Sequence, residues 1–417
     1  MATPTDLIPF TIDVPQADLN DLRQRLSRTR FPQDLPGVDW SQGTPTAALR
    51  EYVAAWRDEF DWRTVEARFN RYPQFITAID GQRIHFLHIR SEVADATPLL
   101  LLHGWPGSFM EFGDVIDLLV DPVAHGGSAA DAFHLVIPSL PGYGFSGPTT
   151  EAGWNTDRMG RGMATLMARL GYDRYGVQGG DMGAFVGPAT ALAAPGHVIG
   201  VHLNAATYGF IPWGEVSADE RAAMSERDLR KLERLMWWTN EGSGYFQIQA
   251  TRPQTIAAGL SDSPVGQLAW MLDAFKSWTA GGTATGVQLD RQTVLAHVSL
   301  YWLTNTAASS ARNYWENMHS GGTWAVDDEA RENEPANDTV SDAASDPEAE
   351  GGRWGETLPT PVGVAVFGED IAMRQFGEQA YTIVHWSEFD EGGHFAALET
   401  PALLVGDVRG FFRKLRA

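Results

Sequence analysis

Residues 175–185 read Tyr-Gly-Val-Gln-Gly-Gly-Asp-Met-Gly-Ala-Phe, and this stretch decides the fold of the 417-residue chain. A short apolar run leads into a turn of small residues, and a second apolar run follows the turn. The pattern predicts a strand, a sharp turn centred on Asp181, and a helix. Glycines stand two residues before and two residues after the centre, at Gly179 and Gly183, where a strained turn leaves no room for side chains.

The turn by itself allows two interpretations. Aspartate is common in glycine-rich loops because it caps helices and tolerates the left-handed conformation. The same spacing of small residues is typical of a nucleophile elbow, in which the central residue attacks the substrate. In that case the nucleophile is the carboxylate of Asp181 where many hydrolases have a serine, and the rest of the chain has to decide between the two interpretations.

Composition and charge exclude several classes of protein. Hydrophobic residues make up 43% of the chain and charged residues 20%, which is typical of a globular protein. The net charge of −22 argues against nucleic-acid binding, because neutralising phosphates requires an excess of Lys and Arg. Cysteine is absent, so disulfides and cysteine-ligated metals are excluded. No signal peptide or membrane-spanning apolar run is recognisable, and we expect a soluble cytoplasmic protein that does not bind membranes.

The texture of the sequence changes along the chain and predicts four segments. Residues 1–95 form an N-terminal extension with two amphipathic helices and a hairpin that turns at Asp80-Gly81. Residues 96–205 and 359–417 are the two parts of an α/β core, in which apolar runs predict a mostly parallel twisted sheet covered by helices. Between them, residues 206–358 are predicted to form an inserted helical cap. Residues 327–356 of that cap carry eleven Asp or Glu and are predicted to be an acidic mobile loop.

Three further stretches supply what a hydrolase with this elbow needs. The first runs from His103 to Ser108 after an apolar strand, where the backbone amide of Trp105 can join that of Met182 in an oxyanion hole. The second contains His394, a candidate general base near the end of the chain. The third, Gly368-Glu369-Asp370, offers a carboxylate to orient the histidine. The order nucleophile, acid, histidine is typical of α/β-hydrolases.

An aspartate nucleophile implies a particular chemistry. A carboxylate is ionised at neutral pH and can displace a leaving group from a saturated carbon, which gives an alkyl ester of the enzyme. His394, oriented by Asp370, would then activate water to hydrolyse the ester. These residues alone leave open whether the leaving group is an epoxide oxygen or a halide.

No cofactor and no metal are expected. The run Gly142-Tyr143-Gly144-Phe145-Ser146-Gly147 formally matches a dinucleotide-binding fingerprint, but Pro148 and Thr149 interrupt the helix that such a loop requires. A turn near the active site is the better interpretation. His85 and His88 lack partners for a metal site in the sequence and are interpreted as structural.

The motifs, taken together, resemble those of the microsomal-type branch of the epoxide hydrolases, which includes the juvenile hormone epoxide hydrolases. The resemblance covers nearly the whole chain and rests on the following stretches: 22–26, 29–32, 60–63, 80–81 and 84–86 in the extension, 103–108, 179–183 and 392–397 in the core, and 244–249, 301–302 and 309–314 in the cap. It implies an α/β-hydrolase fold with an N-terminal extension and a helical cap.

The resemblance also implies roles for residues that spacing alone would not single out. It implies that Tyr245 and Tyr314 hydrogen-bond the epoxide oxygen, whereas aromatic neighbours by themselves would favour a packing role. It selects Asp370 over the adjacent Glu369 as the acid that orients His394. The substrates implied are an epoxide, expected to be apolar or aromatic, and water. The membrane anchor of the mammalian enzymes has no counterpart here, and the acidic loop 327–356 is not part of the family pattern.

Two alternatives stay open in the sequence. A haloalkane or haloacid dehalogenase shares the aspartate elbow and the histidine base, and Trp105 could serve as one of its halide-binding donors. A non-catalytic binding protein on a hydrolase fold is the other, although nucleophile, acid, base and both tyrosines all have candidates. Because symmetric dimers are the commonest oligomers, a homodimer is the expected assembly.

Overall fold

The computed structural model describes residues 6–212, 214–280, 289–319 and 357–416. The predicted acidic loop 327–356 lies outside the described residues. Within the described ranges, no helix is long and apolar enough to cross a membrane.

A single twisted sheet organises the described part of the chain. Its order is β1-β2-β3-β5-β4-β6-β7-β8-β9, antiparallel from β1 to β5 and parallel from β5 to β9. The strands are β1 (Ile8–Phe10), β2 (Gln74–Ile79), β3 (Gln82–Ile89), β4 (Thr97–Leu102), β5 (Phe133–Pro138), β6 (Tyr175–Gly180), β7 (Val198–Asn204), β8 (Leu358–Val366) and β9 (Tyr381–Glu388). The predicted mostly parallel sheet is confirmed, and the hairpin β2–β3 extends it, because β3 pairs antiparallel with β5.

Helices cover both faces of the sheet. In chain order they are α1 (Gln16–Ser27), α2 (Thr46–Asp58), α3 (Trp62–Asn70), α4 (Ile116–Val120), α5 (Thr156–Arg169), α6 (Gly183–Ala193), α7 (Ala218–Ala223), α8 (Glu226–Trp237), α9 (Gly244–Thr251), α10 (Pro253–Asp262), α11 (Pro264–Trp278), α12 (Arg291–Thr304), α13 (Ala307–His319), α14 (Arg374–Ala380), α15 (Ala396–Glu399) and α16 (Pro401–Arg416). Helices α7 to α13 all belong to one insertion, residues 205–357, between β7 and β8.

The central strands are buried on both faces, which explains why their sequences are continuously apolar. In β4, Leu100 and Leu102 pack in the hydrophobic cluster on one face of the sheet, and Leu99 and Leu101 pack in the cluster on the other face. Successive side chains of a strand point to opposite faces, so a strand covered on both sides buries apolar residues on both faces.

The parallel arrangement brings the carboxyl ends of the central strands together at one edge. Strand β6 lies between β4 and β7, and its last residue, Gly180, pairs with Asn204 at the end of β7. The loop after β4 begins at His103, and the turn after β6 contains Asp181. In an open parallel sheet this edge is where ligands bind, and the candidate residues converge on it.

Candidate active site

The turn between β6 and α6 has the geometry of a nucleophile elbow. Asp181 has a φ of 55°, in the left-handed region that costs about 1–3 kcal/mol for a residue with a side chain. A Cβ atom added to Gly179 would lie 2.2 Å from the carbonyl oxygen of Gly183, so the chain can turn this tightly only with glycine there. Helix α6 starts two residues after Asp181, and the positive end of its dipole stabilises a carboxylate at this place.

The loop after β4 holds the Asp181 carboxylate from one side. The backbone amide of Trp105 donates a hydrogen bond of 2.9 Å to Oδ1 of Asp181. Gly104 lies directly against the carboxylate, because a Cβ atom at Gly104 would be only 2.1 Å from Oδ1. Within the described residues, no hydrogen bond joins the amide of Met182, the other predicted oxyanion donor, to Asp181.

His394 faces the other carboxylate oxygen. Its Nε2 lies 3.2 Å from Oδ2 of Asp181, and both side chains are 20% exposed. The two atoms are within ion-pair distance, but they are not aligned as a hydrogen bond, and Nε2 has no hydrogen-bond partner among the described protein groups. Trp278 fixes the histidine, since its carbonyl oxygen accepts a 3.0 Å bond from the His394 amide and its ring lies 4.9 Å from the imidazole.

The charge of Asp181 acts on His394. Burial by itself lowers the pKa of His394, but contact with Asp181 and the charges of Asp181, Asp370 and Glu399 outweigh burial, and the pKa of His394 is raised. A proton on the imidazole is therefore stabilised while Asp181 is ionised.

The two candidate acids have different surroundings. Asp370 is 7% exposed and accepts a 3.0 Å hydrogen bond from the amide of Phe367. Burial raises the pKa of Asp370 to about 6, against the opposing effects of that amide and of the charge of His394. Glu369 instead forms an ion pair with Arg234. Neither carboxylate makes a hydrogen bond or an ion pair with His394 in the described structure, but the charge of Asp370 acts on His394.

The structure brings both predicted tyrosines to the same centre. Tyr245 at the start of α9 stacks on the Trp105 ring at a centroid distance of 5.3 Å and an angle of 8°. Tyr314 of α13 is 3% exposed and meets Tyr245 edge to face at 6.2 Å. Burial, followed by the negative charge of Asp181, raises the pKa of each phenol, so both hydroxyls stay protonated as donors.

Sequence reasoning missed two polar residues, Glu111 and Asn204, that line the same pocket as Asp181 and His394. Glu111 stands three residues after Ser108, a spacing typical of a helix start. That pattern does not indicate that Glu111 lines the active-site pocket. Asn204 ends β7 beside the elbow, and its position at the carboxyl edge of the sheet is the signal that could have found it.

The dinucleotide fingerprint does not lead into a helix. Residues Gly144–Ser146 form a single 3₁₀ turn, and the next helix, α5, begins at Thr156. The loop therefore lacks the helix N-terminus on which a pyrophosphate would lie.

Comparison with known proteins agrees with this geometry. The family model described as "Epoxide hydrolase N terminus" matches residues 7–112, and the model of the alpha/beta hydrolase fold matches residues 97–241. A relative from Stigmatella aurantiaca is 44% identical over 99% of this chain and 86% of its own length. Epoxide hydrolase 1 of Sus scrofa is 34% identical over 97% of this chain and 88% of its own length.

Among solved structures, the Aspergillus niger epoxide hydrolase superposes with a TM-score of 0.80 at 31% identity, covering 98% of this chain and 97% of its own. The resemblance inferred from the motifs is thus confirmed over nearly the full length, and the fold is that of the α/β-hydrolases. The chain belongs to the epoxide hydrolase family.

Proposed function

We propose that this chain converts an apolar or aromatic epoxide to a vicinal diol through an alkyl ester on Asp181. One observation carries the proposal: Oδ1 of Asp181 accepts a hydrogen bond from the Trp105 amide, while Oδ2 lies 3.2 Å from His394. The two oxygens of the carboxylate thus have different surroundings. The proposed ester requires this difference, because one oxygen bonds to the substrate carbon and the other becomes the ester carbonyl oxygen.

In the first step, Oδ2 attacks a carbon of the epoxide ring and the C–O bond of the ring breaks. Negative charge then develops on the epoxide oxygen and needs proton donors opposite the nucleophile. The protonated hydroxyls of Tyr245 and Tyr314 serve as those donors. Both phenols are buried and their pKa values respond to the charge of Asp181, which places them close enough to the nucleophile for this role.

In the second step, His394 takes a proton from water, and the water oxygen attacks Cγ of Asp181. Charge develops on Oδ1, where the Trp105 amide already donates and the Met182 amide at the start of α6 can join it. Asp370 stabilises the imidazolium by its charge. The ester C–O bond breaks and the proton on His394 passes to the departing diol oxygen. The proton left on the new Asp181 carboxyl group restores the phenol that protonated the epoxide oxygen, and the carboxylate re-forms.

Aromatic rings around the nucleophile favour an apolar substrate. Trp105 is buried under Tyr245, and Trp278 and Phe246 contact the same tyrosine. This surface offers stacking and dispersion but few polar groups besides the two hydroxyls. An aryl epoxide is therefore a suitable probe.

The test is a single turnover of styrene oxide in oxygen-18 water with enzyme in excess. Attack of water on Cγ leaves the original Asp181 oxygen in the diol and puts the label into the carboxylate. We expect an unlabelled first diol and a labelled Asp181 peptide, with Asp181→Asn as the inactive control. Label in the first-turnover diol would contradict the ester mechanism.

The dehalogenase alternative keeps the shared aspartate and histidine and Trp105 as a candidate halide-binding donor, but the Trp105 ring is buried and stacks on Tyr245. Family membership and the paired tyrosines favour the epoxide. Release of halide from haloalkanes, without diol from epoxides, would reverse this choice.

The remaining predictions from the sequence complete the proposal. We infer an extension of residues 1–95, a core of residues 96–205 and 359–417, and a cap of residues 206–358 that supplies both tyrosines. We further propose that the protein acts in the cytoplasm as a homodimer, binds neither nucleic acid nor membranes, and needs no cofactor. Light scattering of the purified protein would test the dimer.

A further inference from the structure

A buried carboxylate behind His394 has no role in the reaction described above. Glu399 is the last residue of α15 and is 6% exposed. Its two oxygens accept hydrogen bonds from two backbone amides, Oε1 from Phe395 at 3.0 Å and Oε2 from Ala280 at 2.8 Å. Phe395 follows His394 directly, whereas Ala280 lies just after α11, 119 residues before Glu399. The carboxylate therefore joins two segments that are distant in the chain.

The end of α11 lies against the loop that carries His394. The carbonyl oxygen of Trp278 accepts a 3.0 Å hydrogen bond from the His394 amide. Gly393 lets the two segments approach each other, because a Cβ atom there would lie 2.7 Å from the Trp278 carbonyl oxygen and 3.1 Å from Oε1 of Glu399. The loop is thus fixed to the helix end at two neighbouring residues, His394 and Phe395.

The placement of the His394 ring depends on these backbone contacts. Nε2 is buried without a hydrogen-bond partner among the described groups, and Asp370 acts on the ring by its charge and not by a hydrogen bond. A base held in this way follows any movement of its backbone. A displacement of about 1 Å in a reacting group can cost 10²-fold in rate, so a loose loop would slow the step in which His394 accepts a proton.

Glu399 also acts on the charge of His394. Burial raises the pKa of Glu399 to about 7, against the opposing effects of the two amides and of His394, and the charge of Asp370 raises it further. The charge of Glu399 in turn contributes to the raised pKa of His394. Once Asp181 has become an ester, Asp370 and Glu399 are the remaining carboxylates that stabilise a proton on the imidazole.

We propose that Glu399 is a positioning residue for hydrolysis of the Asp181 ester. Its ionised carboxylate holds the loop of His394 against the end of α11, so that Nε2 stays directed at the attacking water. Its negative charge keeps His394 basic after Asp181 has become neutral. Glu399 itself touches neither the substrate nor the water, and it neither gains nor loses a proton during the step.

This inference rests on the proposed function, and one experiment separates the two. Rapid quench with intact-protein mass spectrometry follows formation and decay of the styrene oxide adduct across the pH range, in the unaltered protein and in Glu399→Gln. If the unaltered protein forms neither adduct nor diol, the proposed function fails, and this role of Glu399 fails with it. An adduct that forms and decays in the same way without the carboxylate would overturn the role alone.

A second buried glutamate provides a matched control. Glu66 in α3 is 7% exposed, and its Oε1 accepts hydrogen bonds of 2.8 Å from the Val14 amide and from Nε1 of Trp62. It does not line the pocket of Asp181. Glu66→Gln should therefore lower the thermal unfolding midpoint but leave adduct formation, adduct decay and the pH profile unchanged.

Glu399→Gln keeps the size of the side chain, but it removes the charge and turns an amide nitrogen toward one of the two backbone donors. We expect adduct decay to slow by about tenfold or more while adduct formation changes by less than about threefold. Decay requires neutral His394, and loss of the negative charge lowers the pKa of His394, so the acidic limb of the decay profile should move to lower pH.

Three results would overturn the proposal. The first is equal slowing of adduct formation and decay in Glu399→Gln, which indicates a merely structural role. The second is an acidic limb that stays in place or moves to higher pH. The third is a similar slowing of decay in Glu66→Gln.

Should Glu399→Gln not fold, Glu399→Asp carries the same test. It keeps the charge but withdraws the carboxylate by one methylene, so that the side chain no longer reaches both amides. The proposal then requires slower adduct decay with unchanged adduct formation, and unchanged decay would overturn it.

Discussion

Replacing Gly104 by alanine should disable the nucleophile without unfolding the protein. The new Cβ atom would lie 2.1 Å from Oδ1, 2.5 Å from Cβ and 2.6 Å from Cγ of Asp181, all far inside van der Waals contact. The carboxylate would have to move by roughly 1 Å or more, since ordinary contacts of a Cβ atom begin near 3.4 Å. It would also lose its 2.9 Å hydrogen bond from Trp105.

The expected effect on catalysis follows from that displacement. A misplacement of about 1 Å in a reacting group can cost 10²-fold in rate, so adduct formation should slow by about 100-fold. Asp181 cannot relax by turning its backbone, because the glycines around it are already in close contact: a Cβ atom at Gly183 would lie 2.1 Å from the Leu102 carbonyl oxygen. The overpacking should lower the free energy of unfolding by about 1–3 kcal/mol.

The assay is the pre-steady-state rate of adduct formation with styrene oxide, measured beside the thermal unfolding midpoint. Gly406→Ala is a matched control, because Gly406 lies within α16 and a Cβ atom there meets nothing within 4 Å. This control should keep the rate and match or exceed the original midpoint. An adduct-formation rate in Gly104→Ala within about threefold of the unaltered protein would refute the reasoning.

Three further predictions concern other residues. Tyr314→Phe removes one donor to the epoxide oxygen and should slow adduct formation by about 10–100-fold while adduct decay stays unchanged. Both rates are measured by rapid quench, and slowing of decay alone would show that Tyr314 has only a packing role. Asp370→Asn should slow adduct decay by about 100-fold while Glu369→Gln changes it little, and the reverse result would transfer the role to Glu369. Asp407 is buried, which by itself raises its pKa, but hydrogen bonds with His202 and another histidine outweigh burial and lower it. The ionised carboxylate therefore stabilises the fold above the unfolded-state pKa near 3.9, and this stabilisation is lost as the pH falls further. Asp407→Asn should lower the free energy of unfolding by about 1–3 kcal/mol at pH 7, measured with denaturant, and the difference from the unaltered protein should narrow below about pH 4. A difference that widens in acid would refute this.

The parts of the fold that could be predicted are those with a strong local signal. The buried parallel strands have largely apolar sequences because both faces are covered. The elbow needs glycine at Gly179 and Gly183 because a Cβ atom at either position would clash with a backbone carbonyl oxygen. Strand β1, only three residues long, has no such signal. Its place at the edge of the sheet depends on pairing with β2 more than sixty residues later in the chain.

The site divides in the same way. The motifs single out Asp181, His394 and the Trp105 amide, since each lies in a loop or turn that follows a recognisable strand. The place of Glu111 in the pocket depends on space left by Gly107, which only the folded loop reveals. Likewise, only the family resemblance, and not spacing, selects Asp370 over the adjacent Glu369 in the sequence, whereas the folded chain separates the two by pairing Glu369 with Arg234.

The charge on Asp181 connects the groups of the site to one another. It contributes to the raised pKa values of Tyr245, Tyr314, Glu111 and His394. While Asp181 is ionised, its charge adds to burial in keeping the phenols protonated, as the proposed epoxide opening requires, and favours a proton on His394. Formation of the ester removes that charge, and the pKa of His394 then falls because its main stabilising partner is gone. In the proposed mechanism, conversion of Asp181 to a neutral ester thus makes the neighbouring His394 imidazole a base at the step that needs one.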